Sequence, residues 1–250
     1  MRILLSNDDG IQAVGLRALY TALKEAGHDV SVYAPVTEQS AVGHAVTIAM
    51  PLRVKEFKEN SFEGRGVSGT PADCVKLALT TFMDPLPDLV VSGINAGANV
   101  GVDIIYSGTV GAATEAALMG VRGLAVSYDG FAPVNLIEQA RHAVSLIDRI
   151  PWQDLPQRSV MNLNYPDLPM EQTKELKCCP HTRAMYEDWF EERHDPRGHP
   201  YYWLTGVIPG DKVSEGTDRD FLWKGHVTLT PLRFDFTNRE ALDILGKTLG

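Results

Sequence analysis

Arg2-Ile3-Leu4-Leu5-Ser6-Asn7-Asp8-Asp9-Gly10 opens the chain with an apolar run that stops abruptly in two adjacent carboxylates and a glycine. Ile3-Leu4-Leu5 has the continuous apolar character of a strand buried on both faces, as inside a parallel sheet. Apolar positions at helical spacing follow Gly10 (Val14, Leu16, Leu19, Tyr20 and Leu23), so this is the first β-to-α junction of an α/β fold. Ligands of such folds lie beyond the carboxyl ends of the strands, where Asp8 and Asp9 stand. Two unscreened carboxylates side by side repel, and a hard divalent cation is the simplest thing that holds them together. The same tripeptide also serves as a plain turn with one Asp capping the next helix. Both readings are open from this stretch alone.

Neighbouring residues of an extended chain point to opposite faces, so Asp8 and Asp9 converge only if the chain turns, which Gly10 permits. Haloacid-dehalogenase-type phosphatases space their two aspartates two residues apart, and the adjacent pair here sets this chain aside from them. The first helix ends near Ala26-Gly27, where glycine suits a C-terminal cap, and Asp29–Ala34 is the second strand, closed by Pro35. The segment 36–50 then lies near the same rim; Ser40 either caps or presents its hydroxyl to the pocket, and His44 reads as a surface or packing residue. After a short strand within 64–69, Thr70-Pro71-Ala72-Asp73 is a helix start, with Thr70 as N-cap and Pro71 at the first helical position.

Asp88-Leu89-Val90-Val91-Ser92-Gly93 is the most convincing strand, and it runs into the glycine-rich loop Ile94–Asp103. This loop has neither the dinucleotide fingerprint nor the Gly-Lys-Ser/Thr of a P-loop. Its glycines let backbone N–H groups approach an anion, and Asn95 supplies a neutral oxygen suited to a hard metal; the bland alternative is a flexible loop. Ser107-Gly108-Thr109 leads directly into a strong helix former, Thr114–Leu118, so free N–H groups, the positive dipole end and hydroxyls make a phosphate cradle there. The same residues also serve as an N-cap, and both roles can hold at once. A strand over 123–128 and a helix over 134–150 complete the alternation. The expected fold is α/β: a three-layer α/β/α Rossmann-like core with a mostly parallel sheet over residues 1–150. Residues 151–250 are expected as a β-rich C-terminal arm with a closing helix near 238–245, and the charged span 183–200 as a solvated excursion.

The 250 residues are 44 % hydrophobic, enough for a substantial core, and the net charge is −9. No Lys/Arg run offers a footprint for duplex nucleic acid, and an acidic chain repels anionic substrates at long range, so a phosphate substrate needs local positive charge. Three cysteines, two of them adjacent, argue against a disulfide framework. The apolar start is too short for a signal peptide, and no apolar run of about 18 residues offers a membrane span; a reducing cytoplasm is the expected location.

Taken together, Ile-Leu-Leu-Ser-Asn-Asp-Asp-Gly (3–10), Ala-Pro…Gln-Ser (34–40), Gly-Thr-Pro-Ala-Asp-Cys-Val (69–75), Val-Val-Ser-Gly-Ile-Asn-Ala-Gly-Ala-Asn-Val-Gly (90–101) and Ile-Tyr-Ser-Gly-Thr-Val-Gly-Ala-Ala (105–113) resemble the SurE family of metal-dependent nucleotidases. Asn162-Leu-Asn-Tyr-Pro166 and Val227-Thr-Leu-Thr-Pro231 are similar to its later segments. The resemblance implies hydrolysis of nucleoside monophosphates, 5′ and also 3′, with short polyphosphate in some members. It implies one Mg²⁺ or Mn²⁺ per subunit at the positions matching Asp8, Asp9, Ser40 and Asn95, and a homodimer or homotetramer with exchanged C-terminal elements. Where the family often has Ser-Gly, this chain has Ser40-Ala41. The expected chemistry is attack on phosphorus by a metal-activated water, with Asp8 and Asp9 catalytic, and Asn95, Ser107, Gly108 and Thr109 on the substrate phosphate. The alternatives are a non-catalytic nucleotide sensor, one half of a two-Rossmann glycosyltransferase, and a purely structural subunit.

Overall fold

The computed structural model describes residues 1–249. The first half contains β1 (Arg2–Ser6), α1 (Val14–Glu25), β2 (Asp29–Pro35), β3 (Val54–Glu59), β4 (Phe62–Val67), α2 (Pro71–Leu77), β5 (Leu89–Ala96), α3 (Asp103–Tyr106), α4 (Gly108–Leu118), β6 (Arg122–Tyr128) and α5 (Ile137–Ile147). The second half contains β7 (Ser159–Tyr165), β8 (Lys174–Cys178), β9 (Glu187–His194), β10 (Pro200–Val207), α6 (Asp218–Trp223), β11 (His226–Arg233) and α7 (Arg239–Leu249).

Nine strands form one sheet in the order β3-β4-β2-β1-β5-β6-β7-β11-β8. The central run from β4 to β7 is parallel throughout. Numbered by sequence within that run, the order is 3-2-1-4-5-6, the doubly wound arrangement whose direction of winding reverses between β1 and β5. The period of two along each strand divides the core into layers. Ile3 and Leu5 of β1, Val30 and Val32 of β2 and Val91 of β5 pack with Leu16, Leu19 and Leu23 of α1 and with Ala140, Val144 and Ile147 of α5. On the opposite face Leu4, Tyr33 and Val90 meet Val75 of α2 and Ala112 and Ala116 of α4. The expected three-layer α/β/α core is the observed one.

Of residues 151–250, expected as an arm, three strands enter the same sheet. β7 adds in parallel to β6, β11 runs antiparallel to β7, and β8 pairs in parallel with β11 at the edge. The pieces that stand off are the two-stranded β9–β10 hairpin, exposed along most of its length, and α7, which buries none of its residues. Among the described residues, no helix is long and apolar enough to cross a membrane.

Local chemistry sets the helix starts. Thr70 accepts the N–H of Asp73, and Asp73 accepts the N–H of Thr70, the reciprocal pair of a capping box, with Pro71 supplying the fixed φ of a first helical residue. Ser107 caps α4 by accepting the N–H of Val110 at 3.1 Å. Replacing Thr70 with Ala is expected to cost about 1 kcal/mol of stability, the usual worth of an N-cap, with an unchanged far-ultraviolet circular dichroism spectrum. Urea unfolding of the variant measures it.

Candidate active site

Asp8 and Asp9 leave the end of β1 at the switch point, and Gly10, at φ +97°, turns the chain immediately after them. Their carboxylates go to different elements. Asp8 accepts the N–H of Thr109 at 3.0 Å and also its hydroxyl, so it is bound to the first turn of α4. Asp9 accepts the N–H of Ala96 at 2.9 Å, at the end of β5. The two strand ends and the helix start are thereby drawn to one point. Gly108 lets them close: a Cβ there would lie 2.9 Å from the Asp8 Cβ.

The electrostatics are those of a site that wants positive charge. Burial pushes the Asp8 carboxyl up, against the Thr109 hydrogen bonds that favour its anion. Asp9 is pushed up to about 7, first by burial and then by the charge of Asp8. Glu38 raises both further, a third carboxylate at this rim that sequence reasoning passed over. Its signal was its place two residues before Ser40 in the segment that follows β2.

Asn95 is half-buried at the end of β5, next in sequence to the residue that holds Asp9. Its Nδ2 donates to the Gly97 carbonyl at 2.7 Å, which leaves Oδ1 as the free end of the amide. Ser40 is exposed, and its hydroxyl donates to Glu38 at 2.5 Å. Its loop nonetheless reaches the acid pair through the backbone, because the Gln39 N–H donates to the Asp8 carbonyl at 2.8 Å. Ser107, Gly108 and Thr109 are buried at the α4 start. Thr109 is spent on Asp8 and the Ser107 hydroxyl on Val110, so Gly108 carries the first-turn N–H not committed to a side chain.

Among the described residues no group of three or more His, Cys, Asp or Glu side chains is placed to hold a metal ion. A cation at Asp8 and Asp9 therefore needs neutral oxygens to complete its shell. The donor set here, two carboxylates whose charges repel and an amide with a free oxygen, is all oxygen and suits a hard divalent cation.

The glycine-rich loop after β5 is held from the second half of the chain. The buried Asn164 on β7 accepts the Asn99 N–H at 2.8 Å, and Asn162 donates its Nδ2 to the Asn99 carbonyl at 2.7 Å. The Asn99 side chain in turn donates to Ser127 Oγ of β6 at 2.8 Å. Two residues on, the buried Asp218 of α6 accepts the N–H groups of Gly101 at 2.8 Å and Thr182 at 2.7 Å. Arg219 pairs with Asp103.

The segment that carries Ser40 has its own anchors, which involve His44. The His44 ring meets Glu115 of α4 at 2.7 Å, and Lys76 of α2 pairs with the same carboxylate. Thr47 donates its N–H and hydroxyl to Asp73 at 2.9 and 2.6 Å.

Residues 3–188 match the family model described as Survival protein SurE. The chain belongs to the SurE family. The 5′-nucleotidase SurE of Maridesulfovibrio salexigens is 62 % identical over 250 residues, 100 % of each chain. That of Oleidesulfovibrio alaskensis is 66 % identical over 249 residues, 100 % of this chain and 96 % of its own. The crystal structure of the SurE protein from Aquifex aeolicus has a TM-score of 0.86 at 35 % identity and covers 100 % of both chains. The segments that carried the SurE resemblance fall at the end of β1, at the end of β2 and the loop after it, at the α2 cap, along β5 and its loop, at the start of α4, at the end of β7 and within β11.

The Glu115 cluster has a defined pH signature. Burial is the largest single influence and pushes its carboxyl up, but the hydrogen bonds and charges of His44 and Lys76 outweigh it and hold the carboxyl below its ordinary value. A depressed folded pKa stabilises above the unfolded carboxyl value of about 4.3, and that stabilisation is lost as pH falls through the lower folded value. Glu115→Gln is expected to cost about 2 kcal/mol at pH 7, the scale of hydrogen bonds to a charged group, and the gap to the parent should close as pH drops toward 3. Urea unfolding across that range is the measurement; a gap independent of pH contradicts it.

Proposed function

We propose that this chain is a metal-dependent phosphomonoesterase that hydrolyses nucleoside monophosphates to nucleoside and phosphate. The observation that carries this is the acid pair at the switch point, Asp8 tied to the α4 start and Asp9 to the end of β5. Relatives that are named 5′-nucleotidases at 62 and 66 % identity support the substrate class. The 5′-ester is the principal substrate, with 3′-nucleotides and short polyphosphates as further ones. A cytoplasmic location accords with such substrates.

Asp8, Asp9 and Asn95, with Ser40, would hold one Mg²⁺ or Mn²⁺ per subunit. When bound, the cation neutralises phosphoryl oxygens and makes the attacking water more acidic. Asp9 uses only one carboxylate oxygen on Ala96, and the other is available to orient that water or to take its proton. Gly108, Ser107 and Thr109 place the α4 dipole and the Gly108 N–H against the phosphate, where charge builds during transfer. Thr109 also fixes Asp8, so it links the phosphate cradle to the acid pair. Water attacks phosphorus, the ester P–O bond breaks, and the sugar oxygen leaves as the alcohol after gaining a proton.

A non-catalytic nucleotide sensor would use the α4 start but gives no reason for the acid pair. A glycosyltransferase half needs a second nucleotide domain, whereas residues beyond 150 extend the first sheet. Asp8→Ala and Asp9→Asn are each expected to lower turnover at least a thousandfold, on the order of what removing a group that acts on the transition state costs. Chelation should do the same to the parent, with recovery on adding Mn²⁺. Phosphate release from a panel of nucleoside monophosphates is the assay, and near-normal turnover by Asp8→Ala overturns the proposal.

The exposed apolar residues of α7 support an assembly. Leu242, Ile244, Leu245 and Leu249 are all exposed, and the helix has no buried residue. A homodimer or homotetramer with exchanged C-terminal elements would cover this face. The double variant Ile244→Asp/Leu245→Asp is expected to lower the mass found by light scattering to that of one chain; a parent already monomeric at micromolar concentration contradicts the exchange.

A further inference from the structure

The loop between β6 and α5 places an exposed aromatic ring beside Gly97 and Asn95, at the end of β5 where Ala96 holds Asp9. Phe131 is 89 % exposed. It is not adrift, however. The Gly97 N–H donates to the Tyr128 carbonyl at 2.8 Å, and the Gly130 N–H donates to the same carbonyl at 2.8 Å, so the turn that presents Phe131 is pinned to the end of the β5 loop. The ring lies over Gly97, whose missing side chain makes the room: a Cβ there would stand 3.2 Å from Phe131 Cε1. The same point is 3.7 Å from Asn95 Nδ2. Ala96, which holds Asp9, lies between Asn95 and Gly97 in the chain. One edge of the ring is thus seated on backbone beside the amide at the acid pair, and most of its surface faces water.

Single exposed apolar residues are ordinary on a protein surface. Position distinguishes this one. In a nucleoside 5′-monophosphate the base hangs one sugar ring away from phosphorus, and it is the only large apolar face the substrate has. An aromatic ring at the rim of a phosphate site offers a stacking platform, and every base has a π face to lay on it.

We infer that Phe131 is the base-stacking platform of the substrate site. The inference rests on the nucleotidase function proposed above and adds the group that recognises the nucleoside part. Stacking without hydrogen-bond readout tolerates all bases, so the enzyme should accept purine and pyrimidine nucleotides alike, purines somewhat better, and should handle ribose 5-phosphate with a higher KM.

The test is steady-state kinetics of the full chain and of Phe131→Ala and Phe131→Trp, with Mn²⁺ present, on a purine nucleoside 5′-monophosphate and on ribose 5-phosphate. Phe131→Ala is expected to raise KM for the nucleotide about tenfold with kcat little changed, and to leave ribose 5-phosphate unaffected. Phe131→Trp should restore the nucleotide KM. Equal changes on both substrates, no change on either, or a change in mass by light scattering that accompanies the loss would overturn the inference. Failure of the parent to hydrolyse either ester would overturn the nucleotidase proposal and this inference with it. An active parent with an indifferent Phe131→Ala variant overturns this inference alone.

Discussion

The carboxylate of Asp8 closes on the N–H and hydroxyl of Thr109, and the rest of the candidate site is arranged around that contact. It joins the end of β1 to the start of α4 across the point where the sheet changes its direction of winding. An anion at a helix N-terminus is favourable, yet burial pushes the Asp8 carboxyl up all the same. Asp9 and Glu38 add like charge to the same place. The backbone geometry therefore concentrates negative charge where water is scarce, an arrangement that a divalent cation would relieve.

The sheet brings Asn95 to this point at the end of β5, paired there with Ser127 of β6, but it does not fix the glycine-rich loop that follows. That loop is tied down by side chains from elements far along the chain: Asn162 and Asn164 on β7, Ser127 on β6 and Asp218 on α6. All four are buried. Buried polar groups are costly unless satisfied, and here most of their capacity is spent on the backbone of residues 99–101 or on Asn99 itself. A glycine-rich loop, which would otherwise have many conformations, is thus given one.

The sequence made the first half legible because its signals were local. A buried apolar run, a helix period and a cap each specify structure within a few residues, and Thr70 and Ser107 stand where their side chains require. The second half was harder to read. Ser159-Val160-Met161-Asn162-Leu163-Asn164-Tyr165 alternates apolar and polar like a strand with one wet face, yet all but Ser159 are buried, because the asparagines face a loop and not solvent. The pairing of β11 with β7 and β8 likewise depends on contacts distant in sequence. At the site, Asp8, Asp9, Asn95 and the α4 start were legible as strand-end oxygens and a helix N-terminus. Glu38 and the His44–Glu115 pair were not, since charge acting across space leaves no periodic trace.

The long-range tethers also bear on the order in which the loop is secured during translation. A nascent chain that has reached residue 150 already carries both aspartates, Asn95 and Ser107, but Asn162, Asn164 and Asp218 have not yet been made. Asn95 is by then paired in β5 with Ser127 of β6, but the backbone of Asn99 and Gly101 lacks the partners that hold it in the finished chain. The last holds on the glycine-rich loop therefore come only with the C-terminal third of the chain.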